Sequence, residues 1–217
     1  MLPTPVTDHV DIEQVYEPSE DSYLLLDLLH EEASYINSRF RCPVVLELGV
    51  GSGVVSTFVH KHVVPLGIFI GTDMNPYACS DAARTSMANG GTEYFEAIRT
   101  DLWLGIRPNL VDVLIFNPPY VPDEFVPSAT DCQARDDWLD LALSGGTDGM
   151  ETTTKVLDNL GKILSSRGIA YILFCGRNKP SEVADKMCKQ GWKATVVGQR
   201  RAGWEALSVW RFQRPAE

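Results

Sequence analysis

The sequence predicts an α/β protein with a seven-stranded, mostly parallel sheet that helices cover on both faces. Short apolar runs, typical of buried strands, alternate along the chain with longer amphipathic stretches, typical of helices. Glycines or prolines end several of the apolar runs, so each run has a defined stop. Alternating β and α units favour a parallel sheet, because each helix carries the chain back across the sheet.

The first half of the chain provides the clearest pattern. Leucines at four positions between 25 and 29 give the first predicted helix a wide apolar face, and glycines end the first strand. Pro76 lies near the start of the segment after the second strand, and a proline in the first turn favours a helix there. In order, the predicted elements are helix Ser22–Ile36, strand Val44–Leu48, helix Val54–His60, strand Ile68–Thr72, helix Asn75–Ala88 and strand Tyr94–Thr100.

The second half continues the alternation. Pro118-Pro119 ends the fourth apolar run abruptly, because proline removes a hydrogen-bond donor. Ser165–Gly168 is predicted as a turn before a fully apolar fifth strand. In order, the remaining elements are strand Val111–Phe116, helices Trp138–Leu143 and Met150–Leu164, strand Ile169–Cys175, helix Ser181–Gln190 and strands Lys193–Val197 and Leu207–Phe212.

Length and composition favour one globular domain. The chain has 217 residues, of which 44% are hydrophobic and 22% charged, and no apolar run approaches the roughly 18 residues of a membrane helix. We expect residues 1–15 to be a flexible lead-in and residues 16–217 to form the domain. The N-terminus does not have the pattern of a signal peptide.

Charge and cysteine usage exclude some classes of function. The formal net charge of −10 disfavours binding to a phosphate backbone, although it is compatible with a local basic patch. Five cysteines without a C-x-x-C pair indicate neither a disulfide framework nor a zinc site, and the four histidines lack a metal-ligand pattern. No metal is therefore expected, and a reducing compartment fits. Cys42 and Cys175 adjoin apolar runs and are expected to be buried.

A glycine-rich turn follows the first strand. Glu47-Leu48-Gly49-Val50-Gly51-Ser52-Gly53 joins that strand to a helix, and glycines let the backbone turn tightly and approach a ligand. Such a turn suits an adenosine-type cofactor, but it also suits other nucleotide binders or no ligand.

Two acidic residues follow the next strands. Asp73 lies about 20 positions after the glycine turn, where a carboxylate can accept hydrogen bonds from a ribose diol. Its alternative role is to cap the helix that begins near Pro76. Asp101 can accept a hydrogen bond from an adenine amino group while Leu102 packs beside the ring, and its alternative role is to cap a loop.

The most specific motif is Asn117-Pro118-Pro119-Tyr120, directly after the fourth strand. The prolines fix the backbone, so the Asn117 side chain and the Pro118 carbonyl have set directions. Both oxygens can accept hydrogen bonds from one NH₂ group, and Tyr120 offers a flat face to a planar group. The alternative is a rigid loop with Asn117 as a turn residue.

The glycine turn together with Asn117–Tyr120 resembles the class I methyltransferases that modify exocyclic adenine amines, guanine amines or glutamine amides. Three further segments narrow the resemblance to the eukaryotic release-factor glutamine methyltransferases in their fungal form: Tyr16–Ser22, Leu139–Met150 and Arg201–Glu205. The resemblance extends from about Tyr16 to Phe212.

This resemblance implies a Rossmann-like class I methyltransferase fold and S-adenosylmethionine as cofactor. It implies that Ser22 closes over the methionine end of the cofactor and that Asn117, Pro118, Pro119 and Tyr120 carry catalysis. The other cofactor-binding residues that it implies are Glu47, Gly49, Gly51, Gly53, Asp73, Asp101, Leu102 and Asn117.

The resemblance also implies a substrate and a partner. The substrate is the glutamine of the Gly-Gly-Gln loop in the class I translation termination factor, and the partner is a small zinc-binding activator protein. No stable nucleic-acid complex and no membrane association are expected, and the expected location is the cytoplasm, with the nucleus as a second.

Three other functions stay open at this stage. An adenine or guanine methyltransferase of DNA or RNA shares the Asn-Pro-Pro-Tyr chemistry but must flip a base and hold phosphates. A protein-lysine methyltransferase is a second alternative, although a flexible ammonium gains less from a planar pair of acceptors. The third is a catalytically silent module that binds the cofactor, against which the intact Asn117 and Tyr120 argue.

Overall fold

The structure is a computed structural model that describes residues 2–91, 94–124 and 136–215. Seven strands form one sheet in the order β3-β2-β1-β4-β5-β7-β6. Strands β1 to β5 are parallel, and β7 runs antiparallel to both of its neighbours. The strands are β1 Val44–Leu48, β2 Ile68–Asp73, β3 Phe95–Arg99, β4 Val111–Phe116, β5 Leu164–Cys175, β6 Lys193–Ala202 and β7 Glu205–Gln213.

Seven α-helices accompany the strands in the described residues, and a short 3₁₀ turn, Gly176–Asn178, follows β5. They are α1 Glu20–Glu31, α2 Ala33–Arg39, α3 Val54–His62, α4 Pro76–Ala88, α5 Asp136–Leu143, α6 Glu151–Ile163 and α7 Pro180–Lys189. The predicted α/β architecture is therefore confirmed. No helix in the described ranges is long and apolar enough to cross a bilayer.

Two apolar cores lie on opposite faces of the sheet. Strand β5 shows the period of two that a doubly covered strand requires, since Tyr171 and Leu173 pack with α1 and α3 while Ile172 and Phe174 pack with α6 and α7. All four side chains are almost completely buried. The sheet is therefore a rigid base for the loops at its carboxyl edge.

Three elements differ from the sequence-based prediction. The first predicted helix is two helices, α1 and α2, which meet at Glu32. The predicted turn Ser165–Gly168 lies inside β5, where it opposes Asp112 in a bulge between the pairs Val111/Leu164 and Val113/Ile169. Strands β6 and β7 are longer than predicted and form a hairpin, because polar residues such as Arg200 and Arg201 continue the ladder to its tip.

The cysteine prediction is half right. Cys175 is buried in β5, but Cys42 is exposed, because it precedes the first strand rather than joining it. These two, Cys79 and Cys188 are free thiols, and Cys132 lies outside the described residues.

The segment before the domain packs against α4. Val6 and the Asn89 side chain exchange two hydrogen bonds of 2.8 and 2.9 Å, and His9 contacts the Thr85 hydroxyl at 3.0 Å. The Gln14 carbonyl accepts a hydrogen bond from the Asn75 amide at 2.7 Å. The flexibility of residues 1–15 stays a prediction, but residues 2–15 have defined contacts with the domain.

Candidate active site

One cavity of about 630 Å³ opens at the carboxyl ends of β1, β2, β3 and β4. Strand order reverses between β1 and β4, and open parallel sheets bind their ligands at such a point. The sequence-predicted site residues that line the cavity are Ser22, Glu47, Gly49, Gly51, Asp73, Asp101, Leu102, Asn117, Pro118, Pro119 and Tyr120.

Gly53 is the one predicted cofactor-binding residue that does not line the cavity. It caps α3 with a positive φ of 76°, and a Cβ atom there would lie 2.7 Å from the Cα of Ala82 in α4. Gly53 therefore lets two helices approach closely instead of forming the cavity wall.

The glycine turn is held in place by the end of β2. Gly49 and Gly51 have φ angles of +64° and +50°, a region that favours glycine. The Gly51 N–H donates to the Asp73 carboxylate at 3.1 Å, and the Val50 N–H donates to the Thr72 carbonyl at 3.0 Å. The turn and the end of β2 thus form one wall of the cavity.

Asp73 is not the cap of α4. That role belongs to Asn75, whose side chain accepts a hydrogen bond from the Tyr77 N–H at 2.9 Å. The Asp73 carboxylate accepts from the Asn75 N–H at 2.9 Å as well as from Gly51, and burial raises the pKa of its carboxyl group. A carboxylate offers about four acceptor sites, so two backbone donors leave capacity for a diol.

Glu47 lies at the base of the cavity and is 4% exposed. Its carboxylate accepts hydrogen bonds from the backbone N–H of Ser56, at 2.9 Å, and from the Ser56 hydroxyl, which ties β1 to α3. Burial raises the pKa of Glu47 to about 8, although the Ser56 hydrogen bonds oppose the shift. The group is therefore poised between its neutral and charged forms near physiological pH.

Asp101 and Leu102 lie on the cavity wall after β3. Asp101 is exposed, and Leu102 adopts a φ of +50°, which is uncommon for a leucine. The backbone hydrogen bond from Leu104 N–H to the Asp101 carbonyl, at 3.0 Å, closes the turn that holds them.

The Asn117 side chain has one amide end paired and the other unpaired. Its Nδ2 donates to the Asp21 carboxylate at 2.9 Å. Its Oδ1 is buried and accepts no hydrogen bond from the residues that the structure describes. Because a carboxylate can only accept hydrogen bonds, the Asn117 amide cannot rotate by 180° without losing its partner. An unpaired buried acceptor is costly, so its presence at a cavity wall indicates a ligand donor.

Asp21 is the centre of a small network that the sequence did not reveal. It lies in the first turn of α1, is 3% exposed, and accepts hydrogen bonds from Asn117, from the Tyr16 hydroxyl at 3.2 Å and from the Ser22 N–H at 2.6 Å. Burial, and next the Asp21 charge, raise the pKa of the Tyr16 and Tyr120 hydroxyls well above the usual value, so both stay protonated.

The Asn117–Tyr120 turn rests on the loop between α5 and α6. The Val121 N–H donates to the Leu143 carbonyl at 3.1 Å, and the Gly145 N–H donates back to the Val121 carbonyl at 2.8 Å. Asn178, from the 3₁₀ turn after β5, donates to the Tyr120 carbonyl at 3.2 Å and to the Gly149 carbonyl at 3.4 Å. This platform explains why Leu139–Met150 has a recognisable sequence.

Carboxylates outnumber cations on the cavity wall. Lys155 is the one basic residue among the described wall residues. The acidic ones are Asp21, Glu47, Asp73, Asp101, Glu124 and Glu151.

The sequence is similar to those of known methyltransferases along nearly its whole length. The chain is 37% identical over 221 residues to a mouse protein, Methyltransferase HEMK2, and the match covers 98% of this chain and 97% of that protein. It is 36% identical over 230 residues to the catalytic subunit mtq2 of the eRF1 methyltransferase of Schizosaccharomyces pombe, covering 99% and 96%. No family model matches the sequence.

Among solved structures, a chain of the E. cuniculi Mtq2-Trm112 complex superimposes with a TM-score of 0.66 at 25% identity. The match covers 93% of this chain and 99% of that chain. Near-complete coverage in both directions, together with the cavity at the switch point, shows that this chain belongs to the HEMK2/Mtq2 family of methyltransferases.

Proposed function

We propose that this chain is the catalytic subunit of a heterodimer that methylates the N5 atom of a glutamine side chain. The substrate is the Gly-Gly-Gln loop of the class I translation termination factor, the methyl donor is S-adenosylmethionine, and the second subunit is a small zinc-binding activator protein. The proposed location is the cytoplasm, with the nucleus as a second.

The observation that supports this activity best is the unpaired Oδ1 of Asn117. A primary amide nitrogen carries two N–H groups in one plane, and it needs two acceptors to be held in position. Asn117 Oδ1 and the Pro118 carbonyl are suited to that task, and the Tyr120 ring can stack on the amide plane.

Holding the amide also favours the reaction. The lone pair of an amide nitrogen is delocalised, so the nitrogen is a weak nucleophile. Two acceptors on its N–H groups would stabilise the positive charge that develops on nitrogen as the N–C bond forms. The C–S bond of the sulfonium would break at the same time and leave a neutral thioether, and the methylated nitrogen would lose one N–H proton to solvent. The Asp21 carboxylate, one hydrogen bond behind Asn117, strengthens the polarity of that acceptor.

The cavity fits S-adenosylmethionine, which supplies an electrophilic methyl group on a sulfonium. Asp73 would accept from the ribose hydroxyls, and Asp101 with Leu102 would hold the adenine. Ser22 and Glu47 would contact the methionine end. A wall rich in carboxylates also suits a cofactor that carries positive charge on its sulfonium and amino groups.

The same charge distribution disfavours a nucleic-acid substrate. A nucleic-acid enzyme must neutralise phosphates close to its site. Here Glu17, Glu20 and Asp21 lie at or just before the start of α1, and Asp123 and Glu124 follow Tyr120. A glycine-rich protein loop can instead enter a narrow opening and present one side chain.

The exposed edge of the sheet is evidence for the proposed second subunit. Strand β3 is an edge strand, and Tyr94 and Ile98 are 54% and 37% exposed. An edge strand with exposed apolar side chains is a template for pairing with another chain. Phe95 is packed against the core and adds less to this surface.

The test is methylation of a termination-factor domain by the heterodimer, followed by mass spectrometry. We expect one methyl group on the glutamine of the Gly-Gly-Gln loop, and none when that residue is glutamate. Asn117→Ala should lower kcat by roughly 100-fold or more while cofactor affinity stays near that of the wild type, because an acceptor for the substrate is lost.

The control is duplex DNA of mixed sequence at low salt, with the Asn117→Ala variant as the blank. We expect far slower methylation of the DNA than of the protein domain. Equal rates on both substrates would contradict the protein-substrate assignment and support the adenine-methylating alternative.

A further inference from the structure

A second groove, of about 310 Å³, opens beside the catalytic cavity. It lies between the segment that leads into α1 and the tip of the β6–β7 hairpin. Tyr16, Asp21 and Tyr120 line both hollows, so the groove adjoins the site that holds Asn117. The other lining residues that carry the argument are Glu20, Trp204 and Glu205.

The geometry of the proposed substrate gives this groove its significance. An acceptor side chain that reaches Asn117 must enter the cavity, and the chain on either side of the acceptor must leave it across the rim. The residues before and after the acceptor therefore lie across the rim. The groove is a hollow in the rim that shares Tyr120, the residue assigned to stack on the acceptor amide.

Trp204 is the most unusual feature of this rim. It is 92% exposed, more than any other large hydrophobic side chain in the described residues. A single exposed apolar residue is ordinary in itself. Trp204, however, lies at a groove that adjoins the candidate active site, and tryptophan is a common anchor in protein interfaces.

The hairpin gives this tryptophan a defined position. Ala202 and Glu205 are paired across the hairpin, so Gly203 and Trp204 form its two-residue tip. Gly203 has a φ of +59°, which permits the tight turn. The Glu205 side chain is also held in place. It accepts a hydrogen bond from the Tyr120 hydroxyl at 3.4 Å and lies 3.9 Å from the Arg177 guanidinium.

We infer that this groove binds the backbone segment of the protein substrate next to the methylated residue, with Trp204 packing over that segment as its apolar anchor. The Glu205 and Glu20 carboxylates at the groove accept hydrogen bonds from N–H groups of the segment. The inference rests on the proposed function, because it requires a protein substrate that presents a side chain to Asn117.

Steady-state kinetics of the heterodimer on the termination-factor domain test this inference. Trp204→Ala should raise KM for the protein substrate about tenfold or more, with kcat and cofactor affinity nearly unchanged, because an anchor remote from the reacting atoms is lost. Trp204→Phe keeps a flat apolar face and should stay close to the wild type. Val196→Ala, an exposed apolar change elsewhere in the same hairpin, should have no effect on KM.

A second measurement does not depend on turnover. Hydroxyl-radical oxidation of the Asn117→Ala heterodimer, read by peptide mass spectrometry, should show that the substrate domain protects Trp204. Two results together would overturn the assignment of the groove and leave the proposed function intact: an unchanged KM for Trp204→Ala, and full oxidation of Trp204 in the Asn117→Ala heterodimer with the substrate domain present. No methylation of the domain by the wild-type heterodimer would instead overturn the proposed function, and the groove assignment with it.

Discussion

Asp21 and Asn117 lie 96 positions apart in the chain, yet a single hydrogen bond of 2.9 Å fixes which end of the Asn117 amide is free. Asparagine oxygen and nitrogen have almost the same shape, so packing alone does not distinguish the two orientations. A buried carboxylate does, since it accepts only from the Nδ2 end. In the proposed reaction, Asp21 would therefore position the acceptor without touching the substrate.

This arrangement predicts an exchange experiment. Asp21→Asn should lower kcat roughly 10- to 100-fold, because an amide partner accepts or donates and no longer fixes Asn117. Combining Asp21→Asn with Asn117→Asp should recover much of the loss, because the new amide can donate to the new carboxylate and an oxygen still faces the substrate. Kinetics of the three variants decide the point, and a double variant no better than Asp21→Asn would show that the pair does not act in this way.

Glu47 should make the stability of the cofactor-free protein depend on pH. Its pKa is raised from 4.5 to about 8 in the folded chain, so between these values the folded state holds a proton that the unfolded state has lost. The stabilisation is therefore complete below pH 4.5 and is lost as pH rises towards 8, by up to about 1.4 kcal/mol for each pH unit.

Thermal unfolding between pH 5 and pH 8 measures this effect. Glu47→Gln cannot ionise, so its Tm should fall less over that range than the Tm of the wild type. Glu182→Gln, at a side chain that is 75% exposed, is the matched control and should follow the wild type. Parallel curves for Glu47→Gln and the wild type would refute a buried, proton-holding Glu47.

Site residues in motifs at strand ends were predictable, and residues without a motif were not. Asp73, Asp101 and Asn117 lie at, or within two residues of, the end of a strand, and parallel strands bring their carboxyl ends together. Asp21 reaches the site from α1 and Asn178 from the turn after β5, and no local pattern marks a partner 96 or 58 positions away. The Tyr16–Ser22 segment did carry a family signature, but its hydrogen bonds did not follow from it.

At the scale of elements, burial decided which predictions succeeded. Strands β1, β2 and β4 are short apolar runs, because helices cover both of their faces, and their predicted bounds agree with the structure to within one residue. The outer part of the β6–β7 hairpin has little apolar pattern, so its length was underestimated. The site platform likewise consists of a loop, a 3₁₀ turn and a bend, which no periodicity reveals.

Asn178 should connect the stability of that platform to catalysis. Its Oδ1 accepts a hydrogen bond from the Cys175 N–H at 3.0 Å, and its Nδ2 donates hydrogen bonds to the Tyr120 and Gly149 carbonyls. Asn178→Ala leaves these groups unpaired, so unfolding in urea should show a loss of roughly 1–3 kcal/mol, and kcat should fall more than cofactor affinity.

The control for this prediction is Asn159→Ala. Asn159 also donates from its side chain to a backbone carbonyl, at 2.9 Å, but on the exposed surface of α6. Its loss should change the free energy of unfolding by less than about 0.5 kcal/mol. Equal effects of the two substitutions would mean that the platform has no special role.

At the scale of the whole molecule, the two edges of the sheet differ in character. Strand β6 carries Lys193, Arg200 and Arg201, and charges of this kind discourage pairing with another strand. Strand β3 at the opposite edge also carries two charges, Glu96 and Arg99, but its Ile98 is exposed, as is Tyr94 immediately before the strand. We propose that the activator covers the β3 edge, because two large apolar side chains are exposed there against one, Val196, on β6.

Co-purification tests which edge the activator covers. Ile98→Asp places a charge on the apolar edge and should abolish recovery of the activator with this chain, and soluble yield should fall with it. Val196→Asp makes the same change on β6, where the side chain is 48% exposed, and should leave recovery unchanged. Full recovery with Ile98→Asp would place the activator elsewhere.

The platform beneath Tyr120 limits how this sequence can vary. A Cβ atom on Gly149 would lie 2.1 Å from the Tyr120 carbonyl oxygen, and one on Gly145 would lie 2.6 Å from that of Pro119. Neither glycine lines the cavity, yet an alanine at either position would displace the Asn117–Tyr120 turn. We therefore expect both positions to tolerate substitution poorly, so a survey that ranks mutational tolerance by distance from the ligand would misjudge both.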